Sequence, residues 1–193
     1  MVDWSERTLD ELNVDFGTRP KAPEFKEVTS AQKRSGWRLA AIHRMHLNDI
    51  GRIAIFLDQM ETKSAAARDL HALIAETDFA QNLRQFGTLC GRECKVLTFH
   101  HDAEEYSLFP ELAQRGNDEL RAVVERLVAE HKVVHELLTR LERAAMTLMF
   151  EPTPENYDLT RMTFHKLEEV IRSHFGYEET QLADAIGALE VGL

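Results

Sequence analysis

The sequence predicts an all-α fold, an up-down-up-down four-helix bundle preceded by an N-terminal arm. Apolar residues recur at helical spacing over several long stretches, and no segment shows the period-two alternation of a strand bounded by hairpin turns. Two breaks rich in turn-forming residues, RGND at 115–118 and EPTPEN at 151–156, separate these stretches. The resulting helices, of about 27 to 35 residues, are roughly 40 to 50 Å long at 1.5 Å per residue. Short connections make such helices antiparallel neighbours.

The arm is predicted to span residues 1–34 and the bundle residues 35–193. The arm lacks long periodicity and contains the turn-like run FGTRP. Three aromatic side chains are expected to pin the arm to the folded body: Trp4, Phe16 and Phe25.

The helices are predicted from their apolar patterns and their end signals. Pro110 predicts a kink or an end near Phe109, because proline cannot donate the backbone hydrogen bond of a helix interior. Gly116 suits a helix C-terminus, and the pair Thr153-Pro154 suits a helix start. The predicted helical stretches begin at Ser35 and then cover about 64–76, 79–114, 117–149 and 154–187.

Composition and charge exclude several classes of function. The formal net charge of −10 argues against nucleic acid and against anionic membranes as partners, since both require a basic surface. No apolar run approaches the roughly 20 residues of a membrane span, and the acidic N-terminus does not resemble a secretory signal. The two cysteines, Cys90 and Cys94, are too few for a disulfide framework, so a cytoplasmic location is expected. Their i,i+4 spacing on a straight helix favours two thiols over a strained disulfide.

Ligand-type side chains recur four residues apart on different predicted helices. Residues at this spacing share a helix face, because 400° is one turn plus only about 40°. The first helix adds a single histidine, His43, beside which His46 is either a supporting group or a competing ligand. The three pairs are His100 with Glu104, His131 with His135, and His174 with Glu178.

The chain also repeats itself internally. Residues 97–112 align without gaps with residues 171–186, which places His100 on His174 and Glu104 on Glu178. Residues 39–47 align more weakly with residues 127–135, which places His43 on His131. The sequence therefore predicts two helix pairs related by a pseudo-twofold axis.

The alignment also distinguishes neighbouring candidates. His101 aligns with Phe175 and is about 100° away from the ligand face, so we expect it beside the site. His135 aligns with Leu47, so the second half adds a candidate ligand histidine that has no counterpart in the first half.

The predicted ligand set contains five histidines and two carboxylates, too many for one tetrahedral zinc. It suits two metal ions that both carboxylates bridge. With one bridging oxygen, the ion bound by three histidines has six ligands, and the ion bound by two histidines has five ligands and one open position for a small molecule. The predicted metal ligands are His43, His100, Glu104, His131, His135, His174 and Glu178.

The ordered set H…HxxxEE…HxxxH…HxxxEE resembles the hemerythrins and their bacterial relatives with the HHE cation-binding domain, over about residues 36–188. The resemblance implies a four-helix bundle with two Fe ions in a carboxylate- and oxo-bridged non-haem centre, which binds dioxygen at the iron with the open position. In animal hemerythrins the last carboxylate is an aspartate five residues after its histidine. The internal repeat favours Glu178 here, and Glu179 is the alternative.

The function expected from the resemblance is binding of dioxygen or a related small molecule. The alternative is a di-iron enzyme or sensor for peroxide or nitric oxide. A ferritin-like site is disfavoured, because such sites use ExxH pairs and no histidine here follows a glutamate by three residues. A bundle that binds metal only to fold is the remaining alternative.

Overall fold

The computed structural model describes residues 3–26, 28–64 and 92–192. Within these ranges the regular structure is entirely helical. Two short 3₁₀ turns, Trp4–Glu6 and Phe16–Thr18, lie in the arm. The predicted stretch at 64–76 and the predicted helix start near Phe79 lie outside the described residues. The long elements are α1 (Ser30–Ser64), α2 (Arg92–Ala103), a π-helical turn (Glu104–Leu108), α3 (Phe109–Arg115), α4 (Asp118–Phe150) and α5 (Pro154–Ala188).

The helix ends follow local chemistry. The side chain of Asn117 accepts a hydrogen bond from the backbone N–H of Leu120 and caps α4, and the side chain of Thr153 does the same for α5. Pro154 occupies the first position of α5, where its missing N–H costs nothing. The predicted turns at 115–118 and 151–156 are therefore present, whereas α1 begins at Ser30, five residues before its predicted start.

Pro110 does not end the second long helix, and it follows directly on the π-helical turn Glu104–Leu108. The backbone N–H of Phe109 donates to the carbonyl of Glu104, five residues back, and the helix continues to Arg115. Because proline has no N–H to donate and its ring crowds the preceding turn, one wider turn lets the helix pass it unbroken. The π-turn begins at Glu104, one of the predicted metal ligands.

Two apolar clusters fill the bundle, one toward each end. The first cluster includes the half-buried Trp4 of the arm, and the half-buried Phe25 packs against the second. The side chain of Phe16 lies outside the described part. Successive long helices connect the clusters in alternating directions, which confirms the up-down-up-down order. Along the chain, α1 runs from the second cluster to the first, α2 and α3 run back to the second, α4 runs to the first, and α5 returns to the second. The residues that show these directions are, in chain order, Leu39 and Leu57, Leu97 and Leu112, Leu127 and Leu141, and Phe164 and Leu182.

Helices α1 and α5 approach each other closely where both carry glycine. A Cβ atom at Gly36 would lie 2.5 Å from the backbone oxygen of Ala183, and one at Gly187 would overlap the backbone of Gln32. Helix α5 also packs against α4, so it contributes to both predicted halves of the site.

One sequence expectation outside the site is wrong. Cys94 is 8% exposed and disulfide-bonded, so it is not a thiol as its i,i+4 spacing suggested. Cys90 lies outside the described residues.

Candidate metal centre

A layer of buried histidines and glutamates separates the two apolar clusters. His43, His131, His174 and Glu178 have no exposed surface, and Glu104 is 3% exposed. Helices α1, α2, α4 and α5 each contribute to the layer, because every long helix passes from one cluster to the other at this level. Charged side chains are almost never this deeply buried without a partner.

The histidines of the layer meet in two equivalent pairs. His43 Nε2 lies 3.1 Å from His100 Nε2, and His131 Nε2 lies 3.1 Å from His174 Nε2. One pair joins α1 to α2, and the other joins α4 to α5. This arrangement is the one that the internal repeat predicted.

Glu104 and Glu178 each lie between the two pairs. Glu104 Oε1 is 3.2 Å from His100 Nε2, and its Oε2 is 3.5 Å from His131 Nε2. Glu178 Oε2 is 3.6 Å from both His43 Nε2 and His174 Nε2. Each carboxylate therefore contacts one histidine of each half, so Glu104 and Glu178 are the residues that would hold ions at both pairs.

The glutamates that follow these two carboxylates have a different position. Glu179 and Glu105 are each 34% exposed, and they accept hydrogen bonds from His43 Nδ1 at 2.9 Å and from His131 Nδ1 at 2.8 Å. A carboxylate acceptor holds the proton on Nδ1, so that Nε2 presents its lone pair to the layer. Glu178, not Glu179, is thus the carboxylate inside the layer.

A third carboxylate, that of Glu130, lies behind His174. Its Nδ1 is 3.2 Å from Glu130 Oε2, and Glu130 is itself 2% exposed. Arg19 of the arm makes two 2.7 Å bonds to the same carboxylate, and Arg126 makes one of 2.8 Å. Sequence reasoning missed Glu130 and Arg19, although Glu130 directly precedes the predicted ligand His131.

His101 is part of the layer, which the sequence did not predict. It is fully buried, its ring stacks on that of His131 at 3.9 Å, and it forms a group with His131 and His174 that is compact enough to hold one ion. His100 contacts α1, whereas His101 contacts α4. A helix at a bundle corner directs adjacent residues, about 100° apart, toward two different neighbours. The prediction had allowed only one ligand-bearing face.

His135 lies further from the centre of the layer than His101 does. Its Nε2 is 3.3 Å from His101 Nδ1, and it is half-buried at the edge of a cleft of about 380 Å³. It belongs to none of the three compact groups, which are His43, His100 and Glu104; His101, His131 and His174; and Glu104, His131 and Glu178.

Two further aromatic rings border the first pair. Phe175 stacks on His43 with ring centroids 3.8 Å apart, at the position that His101 occupies on His131. His46 is 2% exposed, and its ring centroid lies 5.1 Å from that of His100.

Three histidines of the layer are neutral at ordinary pH, so they bring no positive charge to the two buried glutamates. Burial, together with neighbouring histidines, lowers the pKa of His43 to about 2 and that of His100 to about 3. Burial lowers the pKa of His174 to about 4. Burial and mutual repulsion raise the pKa of Glu104, and burial raises that of Glu178. Neutral imidazoles are the form that metal ions bind, whereas the two carboxyl groups hold their protons until a cation displaces them.

The donor atoms also lack partners inside the protein. Both oxygens of Glu104, both oxygens of Glu178 and His101 Nε2 are buried without a hydrogen bond. With Nδ1 of His131 and His174 donating outward, neither Nε2 of that pair has a proton for the other. The two lone pairs, with their nitrogens 3.1 Å apart, would be satisfied by one cation that both imidazoles hold. The residues therefore fit metal ions.

None of the helices in the described part combines the length and the apolarity that a membrane crossing requires.

No curated protein sequence and no solved structure gives a significant match to the chain. The family model of the hemerythrin HHE cation binding domain matches residues 38–186, which include the whole layer. The chain belongs to the hemerythrin HHE cation-binding domain family.

Proposed function

We propose that the chain is a non-haem di-iron protein that binds dioxygen or a related small molecule at the histidine–glutamate layer. The observation that carries the proposal is the pair His131 and His174, whose Nε2 lone pairs face each other at 3.1 Å beside two carboxylates without hydrogen bonds. Two such pairs linked by Glu104 and Glu178 favour two ions over one. Bound iron would supply the electrons and the open coordination position that a small molecule requires.

The number of histidines in each half supports a different role for each ion. Three histidines surround the position between α4 and α5 if one adds either His101 or His135 to the pair. Two histidines, His43 and His100, face the other position, next to Phe175. The half with fewer ligands is therefore the proposed binding position for the small molecule.

The proposed ligands are the six layer residues that the sequence predicted, together with a seventh residue, which is the third histidine at the position between α4 and α5. His101 is favoured over the predicted His135, because His101 Nε2 is buried without a partner and joins a compact group with His131 and His174. We expect His101→Ala to lower retained iron below two per chain. His135→Ala is the matched comparison and should retain two irons. The reverse result would make His135 the ligand.

The function is tested by the visible spectrum of protein filled anaerobically with ferrous iron, before and after oxygen is admitted. A charge-transfer band that appears with oxygen and disappears on degassing supports reversible dioxygen binding. A band that persists indicates oxidation and favours the alternative, an enzyme or sensor for peroxide or nitric oxide. Fewer than two irons retained, with no band, would refute the di-iron centre.

A further inference from the structure

The N-terminal arm reaches the back of the candidate metal centre through one side chain. Arg19 Nε and Nη2 each lie 2.7 Å from an oxygen of Glu130, and both side chains are almost completely buried, 7% and 2% exposed. This two-point geometry is the strong form of an arginine–carboxylate pair. The two residues are 111 positions apart in sequence, so the arm must be folded against the bundle for the pair to exist.

Further contacts fix the arm at this point. Arg19 Nη1 donates to the carbonyl oxygen of Ser173, directly before His174. The guanidinium also lies over the ring of Tyr177, 4.6 Å from its centroid, and the hydroxyl of Tyr177 donates to the carbonyl of Pro20 at 2.7 Å. Arg19 is therefore seated on the turn of α5 that carries His174.

Glu130 transmits this position to the layer. Its Oε2 accepts from His174 Nδ1 at 3.2 Å, which keeps the proton on Nδ1 and directs the Nε2 lone pair at His131 Nε2. Arg126 Nε donates to the same carboxylate at 2.8 Å. The hydrogen-bonded chain from Arg19 through Glu130 to His174 is thus continuous.

Among the described residues, this arginine–glutamate support is found behind His174 and has no counterpart behind His100. In the internal repeat, the position of Glu130 corresponds to Ile42, whose side chain has no atom that can accept a hydrogen bond from a histidine. A ligand histidine held in one tautomer and one orientation loses less freedom on metal binding, and partners behind ligands typically contribute 10–100-fold to metal affinity.

We propose that Arg19 is a positioning residue of the metal centre, which through Glu130 and His174 makes the position between α4 and α5 the tighter metal site, the one that fills first. The N-terminal arm is then a component of the centre. This inference rests on the proposed two-metal function and adds an order of binding to it.

The test is a titration of the full chain with Co²⁺ under anaerobic conditions, followed by cobalt absorption and by competition with a chelator. Wild type should show two unequal binding steps. Arg19→Ala should weaken the tighter step by about tenfold and leave the weaker step unchanged. Arg19→Lys should have an intermediate effect, because an ammonium group cannot make the two-point contact.

Arg140→Ala is the matched control. Arg140 Nη2 holds the carbonyls of Trp4 and Ser5, so this change releases another part of the arm without touching Glu130. Both cobalt steps should stay as in wild type. If Arg19→Ala does not retain wild-type helicity, Arg19→Lys carries the comparison.

Three outcomes are separable. Fewer than two cobalt ions bound by wild type would overturn the proposed function itself. Two unequal steps that both Arg19 variants leave unchanged would overturn only the role of the arm. Equal weakening of both steps would show that Arg19 stabilises the bundle in general and would also overturn the inference.

Discussion

Replacing Glu178 by glutamine should stabilise the metal-free protein while it removes metal binding. Glu178 has no exposed surface, and neither of its oxygens accepts a hydrogen bond. Its pKa is raised by burial, so without metal the folded chain resists its ionisation. Glutamine has nearly the same shape and carries no charge to bury.

The size of the effect follows from the state of the group at a given pH. A pKa raised in the folded state gives stability that is complete below the ordinary pKa of about 4.5 and is lost as the pH rises through the folded value. Burying a carboxylate costs several kcal/mol, and an amide without partners costs about 1 kcal/mol. We therefore expect Glu178→Gln to gain about 2 kcal/mol at pH 8, which raises Tm by about 4–8 °C in a chain of this size.

The assay is thermal unfolding of chelator-treated protein from pH 5 to pH 8, followed by circular dichroism. The Tm difference between Glu178→Gln and wild type should grow with pH and be smallest at pH 5. Glu169→Gln, on the same helix with its side chain 62% exposed and paired with Lys166, should change Tm little at any pH. A variant that melts at or below the wild-type Tm at pH 8 would refute the reasoning, as would a difference independent of pH.

Two further predictions follow from the same structure. Burial lowers the pKa of His43, His100 and His174, so the unfolded chain takes up protons below pH 6.5 that the folded chain cannot, and metal-free protein should lose about 1.4 kcal/mol for each of these three histidines at pH 5.5, measured by urea unfolding. Gly36→Ala should cost about 2 kcal/mol by forcing α1 away from Ala183, whereas Gly176→Ala, where a Cβ meets nothing within 4 Å, should gain up to about 1 kcal/mol in the same assay. Destabilisation of equal size at the two glycines would contradict the close helix contact.

Helical periodicity and ligand spacing predicted the bundle and most of the layer, because both depend on local geometry. A histidine and a glutamate four residues apart share a face in any α-helix, so His100 with Glu104 and His174 with Glu178 required no knowledge of the tertiary structure. The gapless repeat then related the two pairs to each other. The π-turn leaves this spacing intact, since it begins at Glu104 and widens only the helix that follows.

The missed residues depend on which helix lies beside which. Arg19 is in a stretch without periodicity, and its partner Glu130 is 111 residues away, so no local pattern connects them. His101 was placed outside the site because its direction was compared with one face. The same direction points at α4 once the helix stands at a corner of the bundle. The sequence signal for Glu130 was its place beside His131, which is weak evidence because glutamates are common on helices.

Differences between aligned residues would make the two proposed metal positions unequal. At three aligned places a polar residue lies on the side of the layer next to α4 and α5, and an apolar residue lies on the side next to α1 and α2. On the polar side, His101 stacks on His131 and Glu130 contacts His174. On the apolar side, Phe175 stacks on His43 and offers no ligand atom. The three aligned places are Ile42 and Glu130, Leu47 and His135, and Phe175 and His101.

His46 is an exception to this pattern. It aligns with Val134, so at this place the otherwise apolar side, next to α1 and α2, has the polar residue. Its ring is buried against those of His100 and Phe175 and is not in any of the compact groups. Under the proposed function, a small molecule at the position next to His43 and His100 would therefore meet the ring of Phe175 and the imidazole of His46. An apolar ring beside a hydrogen-bonding imidazole would favour binding over release of reactive products into water.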